Sequence, residues 1–321
     1  MAICIYVYRV SYQSVALIYR LINVQYNIHN TQSNQVCNKN SRIICLFRFL
    51  HVHVADLVKS NEGVSLERHS RTDMDRWKDR VVLVTGASMG IGEMTCKNLA
   101  KHGMKVVGCA RTEEKLKIIE EHILRNGGQF MSIVCDLRKH DAIISMFAKI
   151  KENWGGVDVC INNAGLSLDA PIITGDVESW ENMWQVNVMA VCLCTRESVK
   201  SMRDSGVDDG HIININSLSG HRCGKAHFYS ATKYAVTALT EGIRWELREI
   251  NSHIKITSIS PGLVKTNFAY TAMGENAAIE CYSSRQGLQP EDIANAIEVV
   301  LSTPQHVQVS EMMIRPTEQV V

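Results

Sequence analysis

The sequence has almost no net charge, and it lacks the cysteine pairs that mark several common protein classes. Its 321 residues include 34 lysines and arginines against 33 aspartates and glutamates, a formal net charge of +1. No basic stripe is visible, so we exclude a nucleic-acid partner. The eleven cysteines form no Cys-x-x-Cys pair and no group with histidine at metal-ligand spacing. This pattern predicts free thiols in a reducing, cytoplasmic compartment and no metal site.

Long apolar runs are missing as well. Arginines break the apolar runs near the N-terminus, which fall short of the roughly 18 uninterrupted residues of a membrane span, so we predict no spanning segment. No acidic residue precedes Asp56, a composition that resembles that of a transit peptide. Three interpretations of residues 1–73 stay open: a disordered or misassigned extension with the true start at Met74, an organelle-targeting segment, or a peripheral membrane anchor.

Beyond residue 73, the chain contains a strand, a glycine-rich turn and a helix in succession. The apolar run Val81–Val84 leads into a turn, an amphipathic helix and a second strand, Lys105–Cys109, which together form a βαβ unit. Glycines at such a turn adopt backbone conformations closed to other residues and let the main chain approach a pyrophosphate at the helix N-terminus. The pattern therefore predicts a dinucleotide site at Gly86, Gly90 and Gly92.

The end of the second strand indicates which dinucleotide binds. An acidic residue about 20 positions after the glycines would bind the ribose hydroxyls of NAD, whereas an arginine suits the extra phosphate of NADP. Here the chain reads Cys109-Ala110-Arg111-Thr112, without the acid. Arg111 could also be an ordinary surface residue at a helix start, but we favour NADP.

Four further apolar strands follow at the spacing of an α/β protein, with helical stretches between them: Phe130–Leu137, Val157–Gly165, Gly210–Ser217 and Ile254–Gly262. Such strands are buried on both faces of a parallel sheet. Internal repeats and linkers are absent from residues 74–321. We therefore predict one α/β domain, a single Rossmann-type doubly wound parallel sheet with helices on both faces, whose ligands bind at the carboxyl ends of the strands.

A tyrosine and a lysine lie four residues apart in the stretch "FYSATKYAV", at Tyr229 and Lys233. On a helix they share one face, within reach of each other or of a common ligand. A solvated helix face carries such a pair by chance as well, so the pair alone does not identify a site.

The motifs taken together resemble the short-chain dehydrogenase/reductase family over essentially all of residues 74–321. Within the family, the resemblance is to the member eleven group, which includes reductases of steroid ketones and insect farnesol dehydrogenases. The matching motifs, in the family's order, are "TGASMGIG" from Thr85, "CDL" around Asp136, "NNAG" from Asn162, "VNV" around Asn187, Ser217, "YSATK" from Tyr229 and "SPG" from Ser260.

The resemblance implies an NADP(H)-dependent alcohol dehydrogenase or carbonyl reductase. Tyr229 would exchange a proton with the substrate oxygen, and Lys233 would favour the phenolate and hold the nicotinamide ribose. Ser217 would hydrogen-bond the substrate oxygen, and Asn187 would hold a water linking Lys233 to solvent. The remaining implied cofactor contacts are Gly86, Ser88, Gly90, Ile91 and Gly92 at the pyrophosphate, Arg111 at the ribose phosphate, Asp136 and Leu137 at the adenine, Asn163 and Gly165 under the nicotinamide ribose, and Pro261, Gly262, Val264 and Thr266 towards the carboxamide.

The substrate side departs from the resemblance at one loop. The stretch from Ser217 to Tyr229 is about three residues shorter than the closest group implies, and it carries Arg222 and Lys225 where an apolar wall is expected. Residues 266–284 should form a lid with apolar contacts at Phe268, Tyr270 and Met273. We expect a small apolar alcohol or carbonyl substrate, with farnesol-like isoprenoid alcohols ahead of steroids.

One alternative function stays open, and one expectation concerns assembly. A catalytically silent NADP-binding protein with a redox-responsive partner would use the same crevice without turnover. The long helices around Trp180–Ser201 and Tyr229–Ile250 are expected to pair copies of the chain into a homodimer or homotetramer.

Overall fold

Seven parallel strands form the one sheet of the described part of the chain, residues 73–319 of a computed structural model. In spatial order the sheet reads β3-β2-β1-β4-β5-β6-β7. The strands are β1 (Val81–Thr85), β2 (Lys105–Ala110), β3 (Gln129–Val134), β4 (Val159–Asn162), β5 (His211–Ile215), β6 (Lys255–Pro261) and β7 (Glu311–Ile314). The strand order reverses between β1 and β4, which opens a crevice at their carboxyl ends.

Helices connect the strands. They are α1 (Gly90–Lys101), α2 (Glu113–Arg125), α3 (His140–Trp154), α4 (Val177–Trp184), α5 (Ala190–Asp204), α6 (His227–Glu249), α7 (Phe268–Met273), α8 (Glu275–Ser284) and α9 (Pro290–Leu301). A π-helical turn, Gln185–Met189, joins α4 to α5, and a short 3-10 turn, Leu218–Gly220, follows β5. Another 3-10 turn, Asp73–Trp77, precedes β1.

The sheet has a separate apolar layer on each face, because successive side chains of a strand point to opposite sides. On β1, Val82 and Val84 pack with residues of α1, α2 and α9, while Val81 and Leu83 pack with residues of α3, α5 and α6. Burial of each of these aliphatic side chains contributes about 2 kcal/mol to the free energy of folding. The doubly wound arrangement follows from strands that are apolar on both faces.

The predicted fold class is confirmed, and the six predicted strands are all present with ends shifted by a few positions. The sequence analysis missed β7, whose short "EMMI" has no alternation and begins with a carboxylate. None of the helices within residues 73–319 combines the length and apolar character that crossing a membrane requires. The interpretations of residues 1–73 fall almost entirely outside the described residues and stay predictions.

Candidate active site

A cavity of about 1040 Å³ lies at the carboxyl ends of the strands, where the strand order reverses. Its volume is at the upper end for small-molecule sites, enough for a dinucleotide with a substrate beside it. All of the predicted site residues line this cavity except Gly92 and Asn187. Gly92 and Asn187 instead contact lining residues: Gly92 lies against Gly86, and Asn187 hydrogen-bonds the backbone of Leu166.

The glycine turn between β1 and α1 depends on the lack of side chains at three positions. Gly86 and Gly90 have φ of 65° and 58°, in the left-handed region that favours glycine. A Cβ on Gly92 would collide with the carbonyl oxygen of Gly86 and lie 2.6 Å from the side-chain nitrogen of Asn163. Glycine is therefore required at positions 86 and 90 by the turn conformation, and at position 92 by the close approach of the Gly86 carbonyl and the Asn163 side chain.

Asn163, at the end of β4, holds this turn in place. Its Nδ2 donates to the carbonyl oxygens of Thr85 at 2.8 Å and Gly86 at 3.2 Å. The Thr85 hydroxyl oxygen accepts in return from the backbone N–H groups of Asn163 and Ala164, both at 3.0 Å. The side chain of Asn163 is thus occupied within the protein.

The far end of the cavity, beyond β2 and β3, carries two arginines and a carboxylate. Arg111 is exposed, and within residues 73–319 its guanidinium makes no hydrogen bond or salt bridge. Asp136 is held by the guanidinium of Arg138, whose Nη2 lies 2.8 Å from Oδ2 and whose Nε lies 3.0 Å from Oδ1. This fork lowers the pKa of Asp136 to about 2, with a smaller contribution from Arg111. Arg138 was not among the predicted site residues.

Tyr229 and Lys233 lie on one face of α6 at the near end of the cavity, as their spacing predicts. The Nζ of Lys233 is 5.8 Å from the centre of the Tyr229 ring and donates to the carbonyl oxygen of Ile215 at 2.9 Å. Ser217 lies two residues after the end of β5, and its hydroxyl acts on the pKa of Tyr229 as a hydrogen-bond partner. The three side chains come together because β5 and α6 meet at this edge of the sheet.

The pKa of each member of the Tyr229–Lys233 pair is moved by burial. Burial raises the pKa of Tyr229 to about 12, and the hydrogen bond with Ser217 opposes that shift. Burial lowers the pKa of Lys233 to about 8. The role of Lys233 in favouring the phenolate stays a prediction, and the raised pKa of Tyr229 reflects desolvation of the charged phenolate. Tyr229 therefore keeps its phenolic proton at neutral pH.

Asn187 is fully buried in the π-helical turn behind the cavity wall. Its Nδ2 donates to the carbonyl oxygen of Leu166 at 2.8 Å and to the Thr232 hydroxyl at 3.0 Å, and its Oδ1 accepts from the N–H of Leu166 at 2.9 Å. A Cβ on Gly165 would lie 3.4 Å from that Oδ1 and 3.7 Å from the Nζ of Lys233. The role of Asn187 in holding a water stays a prediction.

The predicted lid consists of α7 and α8. The Tyr282 hydroxyl secures its base, donating to the carbonyl oxygen of Thr266 at 2.7 Å and accepting from the N–H of Thr266 at 3.2 Å. The Phe268 ring lies 5.5 Å from the Tyr229 ring, so the lid reaches the proposed reacting group. Tyr282 was missed because a tyrosine within a short polar helix carries no distinctive pattern.

The loop between Ser217 and Tyr229 contributes only one of its two cations to the cavity. Lys225 lines it, exposed, while Arg222 does not. Among residues 73–319, no three His, Cys, Asp or Glu side chains are grouped as metal ligands.

Known proteins resemble this chain over most of its length. A family model described as short chain dehydrogenase matches residues 80–277. Dehydrogenase/reductase SDR family member 11 of Gallus gallus is 52% identical over 254 residues, 77% of this chain and 100% of the relative. Farnesol dehydrogenase of Aedes aegypti is 39% identical over 76% of this chain and 98% of its own.

A solved structure, the closed form of serine dehydrogenase complexed with NADP+, superposes with a TM-score of 0.70 and 31% identity, over 75% of this chain and 96% of its own. The family match and the relatives confirm the resemblance found in the motifs. The chain therefore belongs to the short-chain dehydrogenase family and is an oxidoreductase enzyme of the short-chain type.

Proposed function

We propose that this enzyme uses NADP(H) to interconvert an apolar alcohol and its carbonyl compound. The observation that carries the proposal is the convergence of Ser217, Tyr229 and Lys233 on one wall of a cavity whose other end holds the glycine turn and Arg111. Family membership leaves the substrate and the proton relay open. In the proposal these three residues form the proton relay, and the lid indicates the class of substrate.

The residues at the far end of the cavity fit a phosphorylated dinucleotide. Gly86 and Gly90 expose a backbone turn beside the N-terminus of α1, where N–H groups favour a pyrophosphate. The guanidinium of Arg111 has no hydrogen-bond or salt-bridge partner among residues 73–319, which suits a ribose phosphate. The related serine dehydrogenase structure contains NADP+. When bound, the nicotinamide would supply or accept the hydride.

The near end of the cavity supplies the proton. In the direction of reduction, neutral Tyr229 donates its phenolic proton to the carbonyl oxygen while Ser217 donates a hydrogen bond to the same oxygen. The ammonium of Lys233 stabilises the phenolate that remains, and its bond to Ile215 holds it in place. After reduction, a water held by Asn187 would return a proton to Tyr229, and in the oxidation direction the phenolate takes the alcohol proton, which leaves by the same route.

An apolar substrate is supported by the lid. Phe268 packs beside Tyr229, and Phe268 and Met273 line the cavity, whereas Tyr270 on the same short helix does not. A farnesol-like isoprenoid alcohol is our first choice, because the Aedes aegypti relative is named for farnesol. A steroid ketone is the second.

Homo-oligomeric assembly and a cytoplasmic location complete the proposal. Tyr234 and Trp245, on the outer side of α6, are 46% and 61% exposed, which favours burial of this helix against a second copy.

The test is the absorbance of reduced nicotinamide with the purified full-length chain. NADP+ is supplied with farnesol and related alcohols, and NADPH with the matching aldehydes and with steroid ketones. We expect Tyr229→Phe to lose turnover by roughly 10²- to 10⁴-fold. Tyr234→Phe, on the exposed side of the same helix, is the matched control and should retain it.

Loss of turnover in both variants would point to α6 as a whole and contradict the role of Tyr229. Binding of NADPH without turnover of any substrate would favour the silent NADP-binding alternative.

A further inference from the structure

A histidine at the start of the short loop before Tyr229 makes contacts that the proposed mechanism does not use. The Nε2 of His221 lies 2.7 Å from Oε1 of Glu311 and 3.1 Å from the hydroxyl of Ser260. None of these three residues lines the cavity. A carboxylate oxygen this close requires a proton on Nε2, so His221 is the donor.

Glu311 gathers donors from separate parts of the fold. Its Oε1 accepts from the hydroxyls of Ser260 at 2.7 Å and Ser258 at 3.2 Å as well as from His221. Both serines are buried on β6, and Glu311 begins β7, the edge strand. One carboxylate oxygen therefore ties the loop to two strands. Charge-assisted hydrogen bonds of this kind are about twice as strong as neutral ones.

A short turn connects His221, which Glu311 holds, to Ser217 at the cavity. The Ser217 hydroxyl accepts from the N–H of Ser219 at 3.1 Å, and the N–H of His221 donates to the carbonyl oxygen of Leu218 at 3.0 Å. The Thr237 hydroxyl also donates to the carbonyl oxygen of Gly220 at 3.1 Å. A single 3-10 turn separates the two residues, so a shift of His221 moves Ser217.

We propose that His221 and Glu311 are positioning residues that fix the hydroxyl of Ser217 against Tyr229. The inference rests on the proposed function, in which Ser217 holds the substrate oxygen. Through Ser260, the same carboxylate also steadies the neighbouring Pro261–Gly262 turn. The short loop makes the anchor necessary, because few residues remain to absorb a displacement before α6 begins.

The chain offers a matched control elsewhere. His102, which ends α1, pairs with Glu298 of α9 through Nε2 and Oε2 at 3.1 Å. The exposed fractions of that pair, 24% and 29%, resemble the 22% and 28% of His221 and Glu311. His102 and Glu298 do not line the cavity.

The experiment compares His221→Leu, His221→Gln and His102→Leu in the full-length enzyme, with the substrate that turns over best in the panel. We expect His221→Leu to lower kcat roughly tenfold while KM for NADPH changes by less than about twofold, because misplacement of Ser217 acts on the chemical step. His221→Gln, whose amide still donates to Glu311, should recover most of the rate. His102→Leu should match the parent.

A second arm asks whether His221 acts through Ser217. In a Ser217→Ala background, His221→Leu should lower kcat by less than about twofold further, since residues that act as a unit are not additive. A full further tenfold loss, or equal effects of His221→Leu and His102→Leu, would overturn the proposal.

Amide hydrogen exchange keeps the inference testable if no substrate turns over, an outcome that would contradict the proposed function by itself. His221→Leu should then accelerate exchange in residues 217–221 and leave the glycine turn at 86–92 unchanged. Unchanged exchange in residues 217–221 would overturn the positioning role whatever the activity.

Discussion

Two buried lysines lie at opposite ends of the sheet and differ in what their ammonium groups contact. Lys255, at the start of β6, donates to the Thr303 hydroxyl at 3.2 Å and to the carbonyl oxygens of Pro304 at 3.4 Å and Val307 at 3.2 Å. Lys233, at the cavity, donates to the Ile215 carbonyl oxygen, its one acceptor in the part of the chain that the structure describes. Burial lowers the pKa of each lysine to about 8.

The difference shows that two lysines shifted alike by burial can differ in how fully the protein satisfies their ammonium groups. An ammonium has three donors, so Lys255 is saturated by the protein whereas Lys233 keeps capacity for a ligand. The arginines follow the same division. Arg80, near Lys255, pairs with Asp158 at 2.7 Å and Asp209 at 2.8 Å, but Arg111 at the cavity has no such partner within the described residues.

Replacing each lysine should give the largest difference in activity between the two ends of the sheet. We expect Lys233→Met to lower kcat by roughly 10³-fold, because the phenolate of Tyr229 loses its stabilising charge. Lys255→Met should keep kcat within about twofold but lower the free energy of unfolding by about 1 to 3 kcal/mol, since three oxygens lose their donor. Steady-state kinetics measures kcat, and urea unfolding measures the free energy of unfolding. Equal losses of kcat would break the comparison.

Glycines at the two ends should also differ in effect. Alanine at Gly92 would meet Gly86, and alanine at Gly210 would lie 2.9 Å from the carbonyl oxygen of Asp158, so each should cost about 2 kcal/mol of stability. Only Gly92→Ala should weaken NADPH binding, measured by fluorescence titration below the unfolding transition. Gly242→Ala, with open space around its Cβ inside α6, is the control and should raise stability by up to about 1 kcal/mol.

The unpaired arginine should govern cofactor choice. We expect Arg111→Gln to weaken NADPH binding roughly tenfold and to leave NADH binding unchanged, because only the extra phosphate needs the guanidinium. Arg80→Gln should instead lower stability and leave the affinity for both cofactors unchanged. Titration with each cofactor decides; a parallel loss of NADH affinity in Arg111→Gln would mean that Arg111 does not read the phosphate.

The pH dependence of stability gives the smallest effect. Above pH 8 folded Lys233 loses its proton while the unfolded chain keeps one up to its ordinary pKa, so the unfolded state binds more protons and stability rises with pH. Relative to Lys233→Met, the free energy of unfolding of the parent should rise by about 1 kcal/mol between pH 8 and pH 9. The Lys255→Met comparison should give the same sign, and a rise at only one lysine would separate their environments.

Much of the site was predictable because its residues follow strands that are themselves easy to recognise. Glycine spacing located the turn at Gly86, and helical spacing brought Tyr229 and Lys233 together. Arg138 and Tyr282 were not predicted: an arginine two residues after Asp136 carries no distinctive pattern, and the contact of Tyr282 with Thr266 depends on how the lid folds back. The anchor between His221 and Glu311 spans most of the C-terminal half of the domain and carries no sequence spacing at all.

The sequence by itself determined the doubly wound sheet, the glycine turn and the juxtaposition of Tyr229 and Lys233, because apolar periodicity, glycine positions and helical spacing act locally. Only the tertiary structure decided which polar groups keep hydrogen bonds free for a ligand. Lys233 and Lys255 show the reason: burial shifts the pKa of each in the same direction, but the oxygens that surround an ammonium come from segments distant in the chain. The same holds for Tyr229, whose pKa burial raises to about 12.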